Sequence, residues 1–512
     1  MMKRKIAVIG LDGLGWNILK DILDRGYMPF LRRRILRRAI CGKITSLITP
    51  DTPPTWISLS TGVNPGIHGI PQGCLIDGKN VKIVSSLDVE FPRIHHMLAF
   101  LGVKSLVYNM YLTYPPIGRS KYVTMLIDRF SPKTIILPDN YSKMLNDYRS
   151  YNAPDQWPNV HNPILDFDSY LESLSRGLES RINALLMLSS LSDWDLLWAE
   201  FHEPDLILHV MYHYVLSKMS NNFAKIFTLF DKLIKTLCRK VDMVFIVSDH
   251  GFASYRYKIN VGRLLYELGF FKKQLSSFSC FYNTLRNAFT EILYSNYYTR
   301  HIYGSLLKPF YKIRASNFRK GLINGNGTTL MDNSVAFIHP CNIRGVVIKR
   351  PNMVDEVIKA LSNMWGMLKV LRREEVYHGP YVKRAPELLL FPHYDLGVTL
   401  SDQHSYTDLR LIMKGKFYDH HPEGIFIALS DQIISGNKNN FITISHYDIV
   451  PTILYYLDLP VPNRTDGRII YQLMPENKTG IIRYKDYLSR YKIVKNILKS
   501  KSKLRLGKNP TD

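Results

Sequence analysis

Short apolar runs that end in polar residues recur along the chain. KIAVIGLDG, residues 5–13, is a buried-strand pattern closed by Asp-Gly, and a helical pattern follows from about Trp16 to Ala39. SLVYNMYL (105–112), WDLLWAEF (194–201) and VDMVFIVSDHG (241–251) are further strand-like runs. FAKIFTLFDKLIKTLCRK (223–240) between the last two has a helical period. Strand and helix alternate, which predicts an α/β protein with a mostly parallel sheet flanked by helices. In such sheets ligands collect outside the carboxyl ends of the strands, so the polar residues closing these runs are the place to look.

From about residue 256 the texture changes to one rich in Tyr, Phe, Lys and Arg, exemplified by SSFSCFYNTLRNAFTEILYSNYYTRHIYG. It predicts an inserted α+β cap subdomain over 256–383. Strand-like runs return at ELLLFP and GIFIALS, and YDIVPTILYYLDLPVPNRTDGRII reads as a closing helix with a Pro-rich turn. The predicted organisation is a catalytic core in two parts, 1–255 and 384–475, interrupted by the cap and followed by a tail at 476–512. That tail carries 11 Lys/Arg against 3 Asp/Glu. Within it Tyr487, Tyr491, Val494 and Leu498 form an apolar stripe of helical period among lysines. The stripe suits either a helix docked on the core or a basic amphipathic helix on an anionic membrane surface or nucleic acid.

A hydrophobic content of 46% and a charged content of 21% over 512 residues describe a globular protein with a large core. The net charge of +24 favours anionic partners: phosphate-bearing substrates, nucleic acid or an acidic membrane. The five cysteines, Cys41, Cys74, Cys238, Cys280 and Cys341, are scattered and contain no CxxC pair. They predict neither a disulfide framework nor a thiolate metal site, and a reducing cytoplasm is the simplest compartment. The basic-then-apolar start resembles a signal peptide, but Asp12 interrupts the apolar run early, and no stretch is long enough to predict a membrane span.

Four places carry candidate metal ligands: Asp12 in GLDG, Asp205 and His209 in EPDLILH, Asp249 and His250 in VSDHG, and the double histidine His420–His421 in YDHHPEG. A spacing of i, i+4 puts Asp205 and His209 on one helix face. Oxygen and imidazole donors without thiolates suit zinc, manganese or a related divalent ion, and six of them suit a two-metal centre. Such a centre needs a nucleophile. TPDTPPTWISLSTGVNPGIHGI (49–70) offers Thr52, followed by Pro53 and Pro54, as a helix start. A helix N-terminus favours phosphate, and a threonine hydroxyl becomes a nucleophile when a metal or base lowers its pKa.

These motifs, taken in order, resemble the alkaline phosphatase superfamily, specifically the type I phosphodiesterase/nucleotide pyrophosphatase family, over roughly residues 4–470. The resemblance implies an alkaline-phosphatase-like core. It implies Thr52 as covalent nucleophile and metal ligand, Asp12, Asp249 and His250 on one metal, and Asp205, His209 and His420 on the other, with His421 as alternative to His420. His68 and His213 are read as supporting residues. An Asn that relatives use to hold a phosphate oxygen falls here at Gly73, so neighbouring Gln72 is the expected substrate-binding replacement. Asp51 and the two prolines also depart from the family pattern. The implied activity is cleavage of phosphodiester or nucleotide pyrophosphate bonds through a phosphothreonine, with two divalent ions, zinc or manganese. A phosphomonoesterase, mutase or phosphotransferase on the same fold, and a non-catalytic anion-binding protein, are the alternatives. All the motifs precede residue 477, so the tail is expected to be dispensable for the chemistry.

Overall fold

The computed structural model describes residues 4–45, 49–77, 80–118, 120–127, 131, 134–144, 167–217, 221–272, 334–401, 408–433, 441–475 and 480–506. Nine strands form the central sheet. Their order across it is Phe441–Ser445, Ala39–Thr45, Glu423–Leu429, Met243–Val247, Ile6–Leu11, Leu196–Phe201, Ser105–Tyr108, Val123–Ile127 and Ile135–Leu137. Most pairings are parallel. The exceptions are Glu423–Leu429, antiparallel to both neighbours, and the edge strand Ile135–Leu137. The strands are apolar on both faces because helices cover both. Ala7, Ile9 and Leu11 of the central strand belong to one core cluster and Ile6 and Val8 to the other, the period-two alternation of a strand between two layers.

The apolar runs read as strands at 105–112, 194–201 and 241–251 all lie in this sheet, and GIFIALS joins it as the antiparallel strand. ELLLFP does not. Its strand, Leu388–Pro392, pairs with Asn342–Ile348 and Met367–Arg372 in a separate four-stranded antiparallel sheet. That sheet packs its own apolar cluster against the helix Val354–Ser362. That sheet therefore runs past the boundary expected at 383, because a short apolar run does not reveal which sheet it completes. The aromatic-rich segment at 276–304 lies outside the described residues. The helical stretch predicted over 16–39 divides into Trp16–Asp24 and Pro29–Arg37, with Gly26 at φ 78° between them, and ends in the strand Ala39–Thr45.

One further expectation changes, and one of the two readings of the tail is met. Cys74 and Cys341, 267 residues apart, form a disulfide that ties the short strand Cys74–Asp77 to the turn before Asn342 in the cap. Sequence spacing is blind to a bridge made by tertiary proximity, and the compartment argument built on unpaired cysteines loses its premise. In the tail, the helix Leu488–Leu506 docks on the core. Tyr487 and Tyr491 are buried, their hydroxyls donating to the carbonyls of Pro460 and Val89. Lys495, on the same face, donates to Val89 O at 2.7 Å and pairs with Glu90. The apolar stripe is thus turned inward, towards protein. Among the described residues no helix is long and apolar enough to cross a membrane.

Candidate active site

Three adjacent parallel strands deliver the first candidate ligands. Leu11 stands opposite Phe201 and Gly10 opposite Val247, so Asp12, the turn at His202 and Asp249 all emerge at one carboxyl edge. Gly13 adopts φ 71°, and a Cβ there would meet Asp205 Oδ1 at 2.9 Å, which explains the glycine of GLDG. Asp205 and His209 face the same edge from the helix Glu203–Ser217, with His209 Nε2 3.4 Å from Asp205 Oδ1. The antiparallel strand Glu423–Leu429 begins at this edge, so the preceding strand Ile412–His421 brings His420 to it. Thr52 opens the helix Thr52–Thr61; Asp51, not Thr52, holds the capping position, and its side chain makes no capping bond.

The predicted residues converge. Asp205, His209 and His420 form one group able to hold an ion, with His420 Nε2 3.6 Å from Asp205 Oδ1 and 2.8 Å from His209 Nε2. Asp12, Asp205 and His250 form a second, so Asp205 is shared. Asp249 flanks that second group, its carboxylate 3.4 Å from His250 Nε2 while accepting from Gly13 N at 3.2 Å and Thr55 Oγ1 at 3.4 Å. Thr52 Oγ1 lies 3.5 Å from His250 Nε2. His420 Nδ1 donates to the Pro50 carbonyl at 2.7 Å and His250 Nδ1 to the Gly251 carbonyl at 3.0 Å. Each bond leaves the Nε2 lone pair pointing into the site, as a ligating imidazole requires. His421 turns away, accepting from Glu423 N.

The electrostatics fit cations. Burial, then the charge of Asp12, pushes the Asp249 carboxyl well above the usual range, and burial likewise raises Asp205. Burial also raises Asp12, but its bond and attraction to His202 more than offset this and leave it low. Burial, then His250 and His209, drives the His420 imidazole well below its ordinary value. Asp12 Oδ1 and Asp205 Oδ1 are buried and have no hydrogen-bond partner. Carboxylates so crowded and so poorly satisfied by protein are the donor set of a divalent ion, which would supply the missing charge.

Gln72 differs from expectation. Gln72 is fully buried and its amide donates to the Arg384 carbonyl at 2.7 Å, while Gly73 takes the cleft wall. His68 is buried, bonded to Ser58 Oγ at 2.9 Å, and held down to about 3 by burial, which suits a structural part. The side chain of His213 lies outside the described residues. The cleft, about 210 Å³, is lined by Asp12, Asp51, Thr52, Tyr111, His202 and Cys341, among others. Sequence reasoning missed His202, although a histidine three residues before Asp205 was a signal. It missed Tyr111 and Cys341, for which no local signal exists, and Arg344. Arg344 is a buried cap residue 3.8 Å from Asp51 and 3.0 Å from Asp419.

A family model described as type I phosphodiesterase/nucleotide pyrophosphatase matches residues 6–410. No curated protein matches the chain. Among solved structures it is similar to phosphonoacetate hydrolase from Sinorhizobium meliloti 1021 in complex with phosphonoformate. The identity there is 15% and the TM-score 0.52, covering 88% of this chain and 94% of that one. It is similar to human ectonucleotide pyrophosphatase/phosphodiesterase 5 at 14% identity and TM-score 0.51, covering 91% and 97%. It is also similar to a mutant of the alkaline phosphatase PafA at 13% identity and TM-score 0.54, covering 93% and 99%. At such identities these likenesses carry the fold.

Proposed function

The chain belongs to the type I phosphodiesterase/nucleotide pyrophosphatase family and is a metal-dependent phosphoester hydrolase, and from that premise we propose that it cleaves phosphodiester or nucleotide pyrophosphate bonds with Thr52 as nucleophile and two divalent ions, zinc or manganese. The observation that carries this reading is the meeting of two ligand groups, joined at Asp205, within reach of the Thr52 hydroxyl. Asp205, His209 and His420 would hold one ion, and Asp12, His250 and Asp249, beside the shared Asp205, the other. The ions would neutralise phosphoryl charge and lower the pKa of the bound hydroxyl. Thr52 Oγ1 bonds to phosphorus as the bond from phosphorus to the leaving oxygen breaks, and the threonine proton ends on that departing oxygen. Water then attacks the phosphothreonine, releasing a phosphate monoester and restoring the hydroxyl. His202, bonded to Asp12, and the Pro50 and Gly251 carbonyls hold the ligands in orientation.

The charge of the cleft lining supports the diester reading over the monoester one. Among its described lining residues none is Lys or Arg, and Asp51 stands beside the nucleophile. A singly charged diester asks for less compensating charge than a dianionic monoester. The test is turnover of bis(p-nitrophenyl) phosphate against p-nitrophenyl phosphate by the zinc- or manganese-loaded protein. The diester should be the better substrate, and Thr52→Ala should lose turnover while retaining metal. Undiminished turnover in Thr52→Ala defeats the mechanism.

A further inference from the structure

One cleft residue is held with more structure than packing requires. Tyr111 follows the strand Ser105–Tyr108 in a loop where Asn109 and Leu112 both take left-handed backbone conformations, φ 49° and 51°. Left-handed non-glycine residues cost energy, and they persist where the surroundings over-determine them. Here the surroundings are two buried charges. Tyr111 N donates to Glu200 Oε2 at 2.6 Å, and Arg93 Nη1 donates to the Tyr111 carbonyl. Arg93 and Glu200 face each other at 4.0 Å, both almost wholly buried. Arg93 is braced by Ser60 Oγ at 2.8 Å, and Glu200 by Trp198 Nε1 at 2.8 Å. An ion pair placed this deep carries a desolvation cost, and its outcome is a fixed backbone for one side chain.

That side chain lines the cleft with Thr52, Asp12 and Asp205, and its ring meets His202 edge-on at 6.1 Å. A proton donor is what this cleft needs. The helix at Thr52 begins with Pro53 and Pro54, which have no N–H to offer a phosphoryl oxygen, and the described lining holds no Lys or Arg.

We propose that Tyr111 contacts the substrate, its phenol O–H donating a hydrogen bond to a non-bridging phosphoryl oxygen, with Arg93 and Glu200 as positioning residues that fix its backbone. This rests on the reading of the site as a phosphodiesterase centre. The bond strengthens as charge gathers on that oxygen in the transition state, and removing one donor of this kind costs on the order of 10²-fold in turnover.

The experiment compares wild type with Tyr111→Phe, both metal-loaded, in two measurements: kcat for bis(p-nitrophenyl) phosphate and the dissociation constant for inorganic phosphate by calorimetry. Metal content and melting temperature are recorded for both. The expected result is a fall in kcat of about 10²-fold and weaker phosphate binding, at unchanged metal content and melting temperature. Tyr111→Phe with kcat and phosphate affinity both within about threefold of wild type, well short of a lost donor, overturns the assignment while leaving the phosphodiesterase reading intact. A wild type that binds metal yet neither turns over the diester nor binds phosphate brings down that reading and this inference with it.

Discussion

Replacing Lys495 by methionine tests whether the C-terminal helix is part of the folded core. The Lys495 ammonium is buried, donates to Val89 O at 2.7 Å and pairs with Glu90. Glu90 is also bound by Arg384 at 2.9 Å, and Arg384 in turn donates to Gly69 O and accepts from Gln72, one residue from the cleft wall. Methionine keeps much of the volume, so the loss is polar: one charged hydrogen bond, worth about 1.5–3 kcal/mol, and a carbonyl left without its donor, about 1–3 kcal/mol. With Arg384 still holding Glu90, and with the desolvation of the buried ammonium relieved, a net loss of about 1–3 kcal/mol is expected. The entropy of unfolding grows with chain length, so a chain of 512 residues shifts by only about 1 °C per kcal/mol, and the melting temperature should fall by about 1–3 °C in scanning calorimetry. The pH dependence gives a second readout. Burial, partly opposed by Glu90, holds the Lys495 ammonium down to about 8, against about 10.4 in an unfolded chain. Between those values the unfolded chain binds more protons, so wild type should gain stability relative to Lys495→Met as the pH rises. Truncation before Tyr487 is the harsher form. It also removes Tyr487 and Tyr491, each worth about 1.5–3 kcal/mol buried, so the total approaches the whole stability of a domain, and turnover should be lost. That reverses the expectation of a dispensable tail. A truncated protein with wild-type melting and turnover would refute the docked helix.

Because Asp205 belongs to both ligand groups, Asp205→Asn should deplete metal at both, whereas His209→Ala should spare the Asp12–His250 group; elemental analysis decides, and full occupancy in Asp205→Asn counts against the shared ligand. The Cys74–Cys341 bridge closes a separation of 267 residues, which in the chain-entropy treatment stabilises by up to about 5 kcal/mol. Cys341→Ser should therefore melt several degrees lower, and equal melting temperatures would mean that the bridge does not form. Burial, opposed by Arg93, holds the Glu200 carboxyl up to about 7. Its contribution is fully present below the unfolded value of about 4.3 and is lost as the pH rises through about 7. Glu200→Gln should flatten that part of the wild-type stability profile, and an unchanged slope argues against the shift.

Much of the site was legible in the chain itself, for a physical reason. Asp12, Asp205 and Asp249 each follow an apolar run that could only be a buried strand, and parallel strands in register end at one edge. Strand ends therefore predict convergence without any knowledge of distance. His209 followed from helical spacing, and the Thr52 helix start from its prolines, to within one residue. What tertiary structure alone decided lies where local pattern is degenerate. His420 and His421 are equivalent as sequence, and only the bond from His420 to Pro50 O turns one of them inward. ELLLFP satisfies any sheet, and its partners assigned it to the cap. Gln72 sits one residue from the cleft wall and is not free for the substrate contact expected of it, because its amide is taken by the Arg384 carbonyl. The tail stripe fits a bilayer and a core equally well; Val89, Glu90 and Pro460 chose the core. Tyr111 and the Cys74–Cys341 bridge have no local signature, because each depends on contacts between segments about 90 to 270 residues apart, and such proximity is a property of the fold rather than of any stretch of chain.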